Sequence, residues 1–522
     1  MTIISLKFLL FLAVTLVIYY IVPGKAQWLV LFAASVAFYI YAGPYYILFA
    51  AALITVSYFA ARAISGMHEK QRAQSQHLEK AEKKQCAAFW TGKKRKVLAA
   101  ALTAVVGSLV FLKTYRVIIS GLNAFISLFG AWRFKPASII FPLGFSFYSF
   151  QIVAYLVDVY RGKCEAQKNF AKYALFVLFF PQITEGPIAR YDRLAPQLYE
   201  PHKADYKNLK SGAQLMLWGF FKKLVIADRL GLFVNSVFAD LNKYSGLVLV
   251  VTLSFYSIQM YADFSGCIDI VTGAAEMFGI TLDKNFNHPY FSKTVPEYWR
   301  RWHMSLSGWF KDYVFYPVSA SKLSLKLNKF ARRRFGGTVS RAVAASFPVI
   351  IVWLLTGFWH GTQLNYIVWG LYYGVIIIAG IIFAPYGRKL TAAMHINTDS
   401  FLWRLFQMLR TFAICTFARI FFRAKDFSES VLIISKMFGG WPSSVNFFSL
   451  GLDRFDFTVV VLSVLLLLSV SILQEKTCVR ERIARQNVFV RWAVYYAALF
   501  AVIIYGVYGS SNTGTAFIYE KF

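Results

Sequence analysis

From residue 3 onward, apolar runs about as long as a bilayer is thick alternate with short polar stretches. The runs fall near 3–22, 27–42, 44–63, 97–115, 138–158, 170–184, 210–236, 246–262, 343–359, 364–384, 403–422, 457–474 and 490–508. A helix of about 20 apolar residues crosses the hydrocarbon layer, so the pattern predicts an all-α polytopic membrane protein of roughly a dozen helices. Two stretches, 118–132 and 265–280, are ambiguous. The opening run SLKFLLFLAVTLVIYYIV has neither a basic leader nor a small-residue cleavage site, and more runs follow at once. It reads as a retained helix rather than a signal peptide. There is no internal repeat of the kind many transporters carry, and no polar stretch long enough for a soluble domain, so the chain reads as one membrane domain.

Composition agrees: 522 residues, 58% hydrophobic and 18% aromatic, with a mean hydropathy of +0.51. The formal charge of +31 could suggest a nucleic-acid partner. The cations, however, gather in short segments between apolar runs, as the positive-inside rule expects. One segment, 62–96, holds Lys70, Arg72, Lys80, Lys83, Lys84 and KKRK at 93–96; another, 321–341, holds Lys322, Lys326, Lys329, RRR at 332–334 and Arg341 with no acid; a third spans 476–491. All three are expected as cytoplasmic loops. Three runs precede the first, which places the N-terminus outside. The five cysteines (86, 164, 267, 415, 478) form no CxxC pair and no metal-spaced cluster with histidine, so neither a disulfide framework nor a metal is expected.

The middle differs from the ends. Residues 285–317, NFNHPYFSKTVPEYWRRWHMSLSGWFKDYVFYP, are too polar to span and too aromatic for a plain loop. Such segments lie at the interface or re-enter the membrane where protein or a wet cavity satisfies their backbone. Trp299, Trp302 and Trp309 suit an interface. A helix is expected to begin near Glu297 with Thr294 as cap. His303 then sits beside Arg300 and Arg301, which would depress its pKa and favour the neutral, base-competent ring. It reads either as a base or as an interfacial residue tucked among tryptophans.

His360 stands in LLTGFWHGTQLNYIVWG, inside an apolar run. It can be a structural histidine bonded to a neighbouring helix. Ionisable groups at membrane depth are costly and usually functional, and neutral imidazole is the natural general base for a hydroxyl. Gly357 and Gly361 beside it allow backbone or substrate to come close. Other polar residues lie in apolar surroundings: Asp263 and Asp269, Glu185 and Arg190, Asp158 and Arg161. Ion pairs near helix ends account for them as readily as function does. Arg300 and Arg301 can meet phosphates or anchor the positive-inside face. Hydrolase-elbow, Walker and HExxH motifs are absent. His68, His77, His202, His288 and His395 lie in polar contexts and read as structural or solvated, His288 the least clearly because it opens the aromatic segment.

An ordered series of motifs resembles the membrane-bound O-acyltransferase family, on the bacterial branch of alginate and peptidoglycan O-acetylation proteins. The series runs FPLGFSFYSFQIVAYLVDVYRG (141–162), FFPQITEGPIARY (179–191), QMYADFSGCIDIVTG (259–273), the 285–317 segment with WRRWHMSL, LLTGFWHG (354–361), FARIFFRAKDF (417–427) and the ending AFIYEKF. Two departures stand out: VSASK follows Tyr316-Pro317 where many relatives carry a Gly-Gly turn, and the terminal YEKF is more polar than expected.

The resemblance implies a ring of tilted helices around a thinned centre, with His360 as the catalytic histidine and His303 as a second signature histidine on the cytoplasmic side. Residues 1–137 would carry the N-terminal helices and a basic loop, 138–384 the catalytic core and 385–522 the C-terminal helices. It implies a bacterial cytoplasmic-membrane enzyme taking acetyl from cytoplasmic acetyl-CoA. The acceptor would be an extracytoplasmic polysaccharide or a secreted serine-hydrolase-like (SGNH) relay partner. Tyr298, Arg300, Arg301, Trp302, Asp263 and Asn365 are the residues expected around the donor, Asn365 as an oxyanion donor. The competing readings are D-alanyl transfer from a carrier-protein thioester to teichoic acid, a proton-coupled transporter, and a scaffold with a dead site.

Overall fold

The computed structural model describes residues 2–130, 134–135, 141–440 and 446–508. The terminal AFIYEKF motif and residues 138–140 of an expected run lie outside them. Among the described residues every regular element is helical. In chain order the helices are α1 Leu6–Ile21, α2 Gln27–Ala42, α3 Tyr46–Ser75, α4 Lys80–Ile126, α5 Phe145–Tyr160, α6 Phe170–Leu178, α7 Tyr191–Tyr199, α8 Tyr206–Phe220, α9 Asp228–Ala239, α10 Leu247–Met277, α11 Val295–Arg301, α12 Met304–Phe310, α13 Tyr316–Ser319, α14 Lys322–Arg334, α15 Gly337–His360, α16 Leu364–Ala393, α17 Phe401–Arg423, α18 Phe427–Met437, α19 Arg454–Gln474, α20 Val479–Ala484 and α21 Val488–Tyr505. Nine of them are long and apolar enough to cross a membrane among the described residues: α2 with its preceding turn, α3, α4, α10, α15, α16, α17, α19 and α21.

Four expected spans take other forms. Helices α1 and α5 have 16 residues each. Helix α6 has only nine, because Pro181 forces the residues before it out of the helix. The run at 210–236 contains Lys222, Lys223, Asp228 and Arg229, and its helix widens into a π-helical turn at Phe221–Ala227. The expected basic loops are mostly helical too. Helix α3 continues to Ser75 and α4 begins at Lys80, leaving four residues as the connection. Ala, Glu, Lys, Gln and Arg are strong helix formers, and a capping box between Glu79 and Glu82 starts α4. Likewise 321–341 holds α14, whose first turn Ser321 caps by accepting from the Ser324 N–H.

Contacts gather into two compact units, residues 1–213 with 271–283, and 214–270 with 284–522. In the first, Phe8, Phe11, Phe38 and Phe180 form an aromatic cluster of edge-on and tilted rings. Gly144 caps α5 at φ +69, and a Cβ there would lie 2.0 Å from the Ile183 carbonyl oxygen. Only glycine fits that turn without strain. Asp158 pairs with Lys163 at 3.4 Å, and Lys163 also reaches Asp192 at 2.8 Å. The polar ends of α3 and α4 are stitched together. Lys94 donates to Gln71 at 2.7 Å and lies 3.1 Å from His68 Nδ1, and Trp90 donates to Gln74 at 2.7 Å.

In the second unit α10 runs on far past the expected end at 262, through Asp263 and Asp269, because lysines meet those acids. Lys223 lies 2.6 Å from Asp263 and 2.8 Å from Asp228. Lys222 lies 2.8 Å from Asp269 and donates to Ser265 at 3.0 Å. Glycines permit the approach: a Cβ on Gly219 would lie 2.6 Å from the Gly266 carbonyl oxygen. Adjacent residues of an α-helix point about 100° apart. The π turn lets Lys222 and Lys223 both turn inward and stay buried.

Candidate active site

Helix α11 begins as expected, with Thr294 Oγ1 accepting from the Glu297 N–H at 3.2 Å. Its far end is an abrupt break at His303, whose backbone is left-handed at φ 45, ψ 54. A strap at 285–287 holds the break. Asn287 N–H donates to the Arg301 carbonyl and Met304 N–H to the Asn285 carbonyl, both at 2.9 Å. Asn285 Oδ1 accepts from the Ser305 N–H at 3.2 Å and the Ser305 hydroxyl at 2.9 Å, and it lies 3.1 Å from His303 Nδ1. An amide oxygen can only accept, so Nδ1 carries the ring proton and the lone pair sits on Nε2.

His303 is 1% exposed, and its ring meets Phe264 edge-on at 4.9 Å. The expected fall in its pKa is present, to about 3, but the cause is burial. Arg300 is exposed, and Arg301 is already paired with Glu297 at 3.0 Å and Glu475 at 2.9 Å. Removal of water disfavours the imidazolium more than either arginine does.

His360 is the last residue of α15 and is 4% exposed. Its ring lies 4.6 Å from Trp359, 5.0 Å from Trp369 and 5.1 Å from Phe422. The neighbouring glycines serve helix packing. A Cβ on Gly357 would come within 2.5 Å of the Tyr366 carbonyl oxygen, one on Gly361 within 2.4 Å of the Tyr366 ring, and one on Gly370 within 2.2 Å of the Trp353 carbonyl oxygen. The close approach is thus made by the backbone and Tyr366 ring of α16, which clamps the end of α15. The two histidines share a neighbour: Trp359 also lies 6.2 Å from His303. The imidazoles are therefore no farther apart than the two Trp359 separations taken together.

The other expected site residues have packing roles. Asn365 Nδ2 donates to the Phe421 and Ala424 carbonyls, each at 3.0 Å. Both its protons are committed to those two carbonyls. Asp263 is held by Lys223. Tyr298 and Trp302 are each 1% exposed and stack on one another at 5.6 Å. They form core rather than a wall open to a donor, and Trp309, also buried, is no interfacial belt residue. Trp299 packs edge-on against Trp353, Trp369 and Tyr373, tying α11 to α15 and α16. Glu185, Arg190, Asp158 and Arg161 belong to the first unit.

Sequence reasoning missed Arg419. It is 2% exposed inside span α17, donates to Tyr298 Oη at 2.7 Å and covers the Trp302 ring at 4.6 Å. The rule that singled out His360, an ionisable group inside an apolar run, applies equally to the arginine in FARIFF. Asn285 was also missed; only the left-handed turn at His303 gives it a purpose.

A family model described as the membrane-bound O-acyltransferase family matches residues 165–423, a stretch that contains both histidines and ends with α17. The chain is 31% identical over 322 residues to a probable alginate O-acetylase of Pseudomonas syringae, covering 62% of this chain and 55% of that one. It is 29% identical over 438 residues to a probable alginate O-acetylase of Pseudomonas aeruginosa, covering 83% and 74%. It is 30% identical over 336 residues to a peptidoglycan O-acetyltransferase of Helicobacter pylori, covering 59% of each. The match thus spans little more than half the length of two of these three relatives. The spans, the two buried histidines in WRRWH and FWHG, and these matches agree: the chain belongs to the membrane-bound O-acyltransferase family, on the branch of the alginate and peptidoglycan O-acetylation proteins.

Proposed function

We propose that this protein is a membrane O-acetyltransferase with His360 as general base. It takes acetyl from cytoplasmic acetyl-CoA and passes it to an extracytoplasmic polysaccharide or a secreted serine-hydrolase-like relay partner. The observation that carries the reading is the pair of buried histidines sharing Trp359 at the end of a membrane-spanning helix. His360 removes the proton of the acceptor hydroxyl, whose oxygen attacks the thioester carbonyl carbon. The tetrahedral intermediate then expels the coenzyme sulfur as the C–S bond breaks, and the imidazolium returns its proton to that thiolate. His303 is neutral with its lone pair on Nε2, so it orients the donor by accepting, for instance from a pantetheine amide N–H. Arg300 and the six cations of α14 draw the coenzyme's phosphates. On this reading the protein sits in the bacterial cytoplasmic membrane with its N-terminus outside.

The test is thioester turnover by purified protein given labelled acetyl-CoA and an envelope acceptor extract, comparing wild type, His360→Ala and His303→Ala. Turnover that vanishes in His360→Ala supports the base assignment. Turnover that survives there refutes it. Consumption of a carrier-protein thioester in place of acetyl-CoA would move the chain to the D-alanyl type of reaction.

A further inference from the structure

The second unit contains a cavity of about 230 Å³ that the acyl-transfer chemistry does not use. Ile258 and Tyr261 of α10, Phe412 of α17, and Leu467 and Leu468 of α19 wall it, together with His288. Three of its walls are therefore membrane spans. Leu468 is 43% exposed, and its neighbours Leu465 and Leu466 are also exposed, so the cavity opens on the lipid-facing side of α19. Its lining is almost wholly hydrocarbon. Ser471 and Tyr290 also line it, but their hydroxyls donate to the Leu467 and Ser257 carbonyls; His288 differs, because its Nδ1 is buried and meets no hydrogen-bonding group among the described residues. Burial holds this ring below its ordinary pKa, which keeps it neutral with one N–H to give. Lys284, Arg301 and Glu475 lie close enough to His288 to act on its charge.

We propose that this cavity is a binding site for one acyl chain of a membrane phospholipid. The chain fills the space between α10, α17 and α19. The glycerol ester carbonyl accepts from His288 Nδ1–H, and the phosphate lies near Lys284. A dry apolar cavity does not hold water but does take hydrocarbon, and the layer outside α19 supplies it. The site is built into the catalytic segment, because the strap that ends at His288 also carries Asn285 and Asn287, the residues that bond His303, Met304 and Arg301. A resident lipid would brace that strap.

The test is lipid retention by the full-length protein, which does not depend on turnover. Protein extracted in detergent and washed extensively should keep about one phospholipid per chain in native mass spectrometry. Leu467→Trp, which fills the cavity, should lower retention about tenfold. Leu462→Trp, on the same helix but 62% exposed, should not. Loss of all phospholipid from the wild type, or equal retention by the two variants, overturns the proposal. A phosphatidylethanolamine with a diazirine near its chain terminus tests the wild type directly. Crosslinks to peptides holding Ile258, Tyr261 or Phe412 support the site; crosslinks confined to the exposed face of α19 overturn it.

Discussion

Lys223 lies between two carboxylates, 2.6 Å from Asp263 and 2.8 Å from Asp228, with all three side chains no more than 5% exposed. At such distances each contact is worth about 6 kcal/mol of Coulomb attraction at an effective dielectric of about 20. Much of that only offsets desolvation. The two kinds of removal are therefore unequal. Asp263→Asn keeps a hydrogen-bond acceptor and leaves Lys223 its pair with Asp228, so it costs about 1–2 kcal/mol. Lys223→Met strands two dehydrated carboxylates facing each other. Removing one partner of a buried pair costs about 3–5 kcal/mol, and here two acids lose theirs, a large part of the ~5–15 kcal/mol that typically separates folded from unfolded protein. Thermal unfolding in detergent, followed by fluorescence-detected size exclusion, should rank wild type above Asp263→Asn and both well above Lys223→Met. Equal unfolding temperatures for the two variants would refute the reasoning, since they would show that Lys223 is not the shared counter-charge.

Three further outcomes follow from the site and its supports. Asn285→Ala removes the acceptor that fixes the His303 tautomer and should lower turnover about 10²-fold, the usual effect of a small misplacement; an unchanged turnover number would dismiss the strap as a positioning device. Gly370→Ala, whose Cβ would meet the Trp353 carbonyl oxygen at 2.2 Å, should destabilise by about 1–3 kcal/mol, while Gly380→Ala, with nothing within 4 Å, should be neutral or stabilising; unfolding temperatures that do not separate the two would contradict the tight α15–α16 contact. Because burial lowers the folded pKa of His303 to about 3, the unfolded chain binds the extra proton between that value and the ordinary 6.5, so stability is full above pH 6.5 and falls on acidification. At pH 5 wild type should have lost about 2 kcal/mol that His303→Gln keeps, and an identical acid sensitivity in the two would disprove it.

Much of the candidate site was legible in the sequence because ionisable groups in apolar runs are conspicuous. His360 and His303 stood out by their surroundings, and the Thr294 cap followed from local chemistry alone. Long-range pairing was not legible. Nothing in the text says that Lys223 meets Asp263, some forty residues on, or that this pairing lets α10 continue as helix past two acids. The same blindness made Tyr298 and Trp302 look like a donor-facing wall, when Arg419 from α17 seals them into the core. The bonds of Asn365 were hidden for a related reason: its partners, Phe421 and Ala424, lie in a different helix and the turn after it. The basic segments were misread as loops because charge was weighed and helix propensity was not; KAEKKQ and KLSLKLNKFARRR are good helix sequences.

The α3–α4 hairpin has a practical use. Helix α4 has 47 residues, which at about 1.5 Å per residue is some 70 Å of rod, more than twice the roughly 30 Å hydrocarbon layer. Its first turns are too charged to enter lipid, and they are fastened to α3 by Lys94 and Trp90 rather than left to sway. The charged end of this hairpin is therefore a stiff rod that reaches past the hydrocarbon layer. The short connection at 76–79 is the place to splice a rigid soluble domain as a fiducial for image alignment, or an epitope for capture, without touching either histidine.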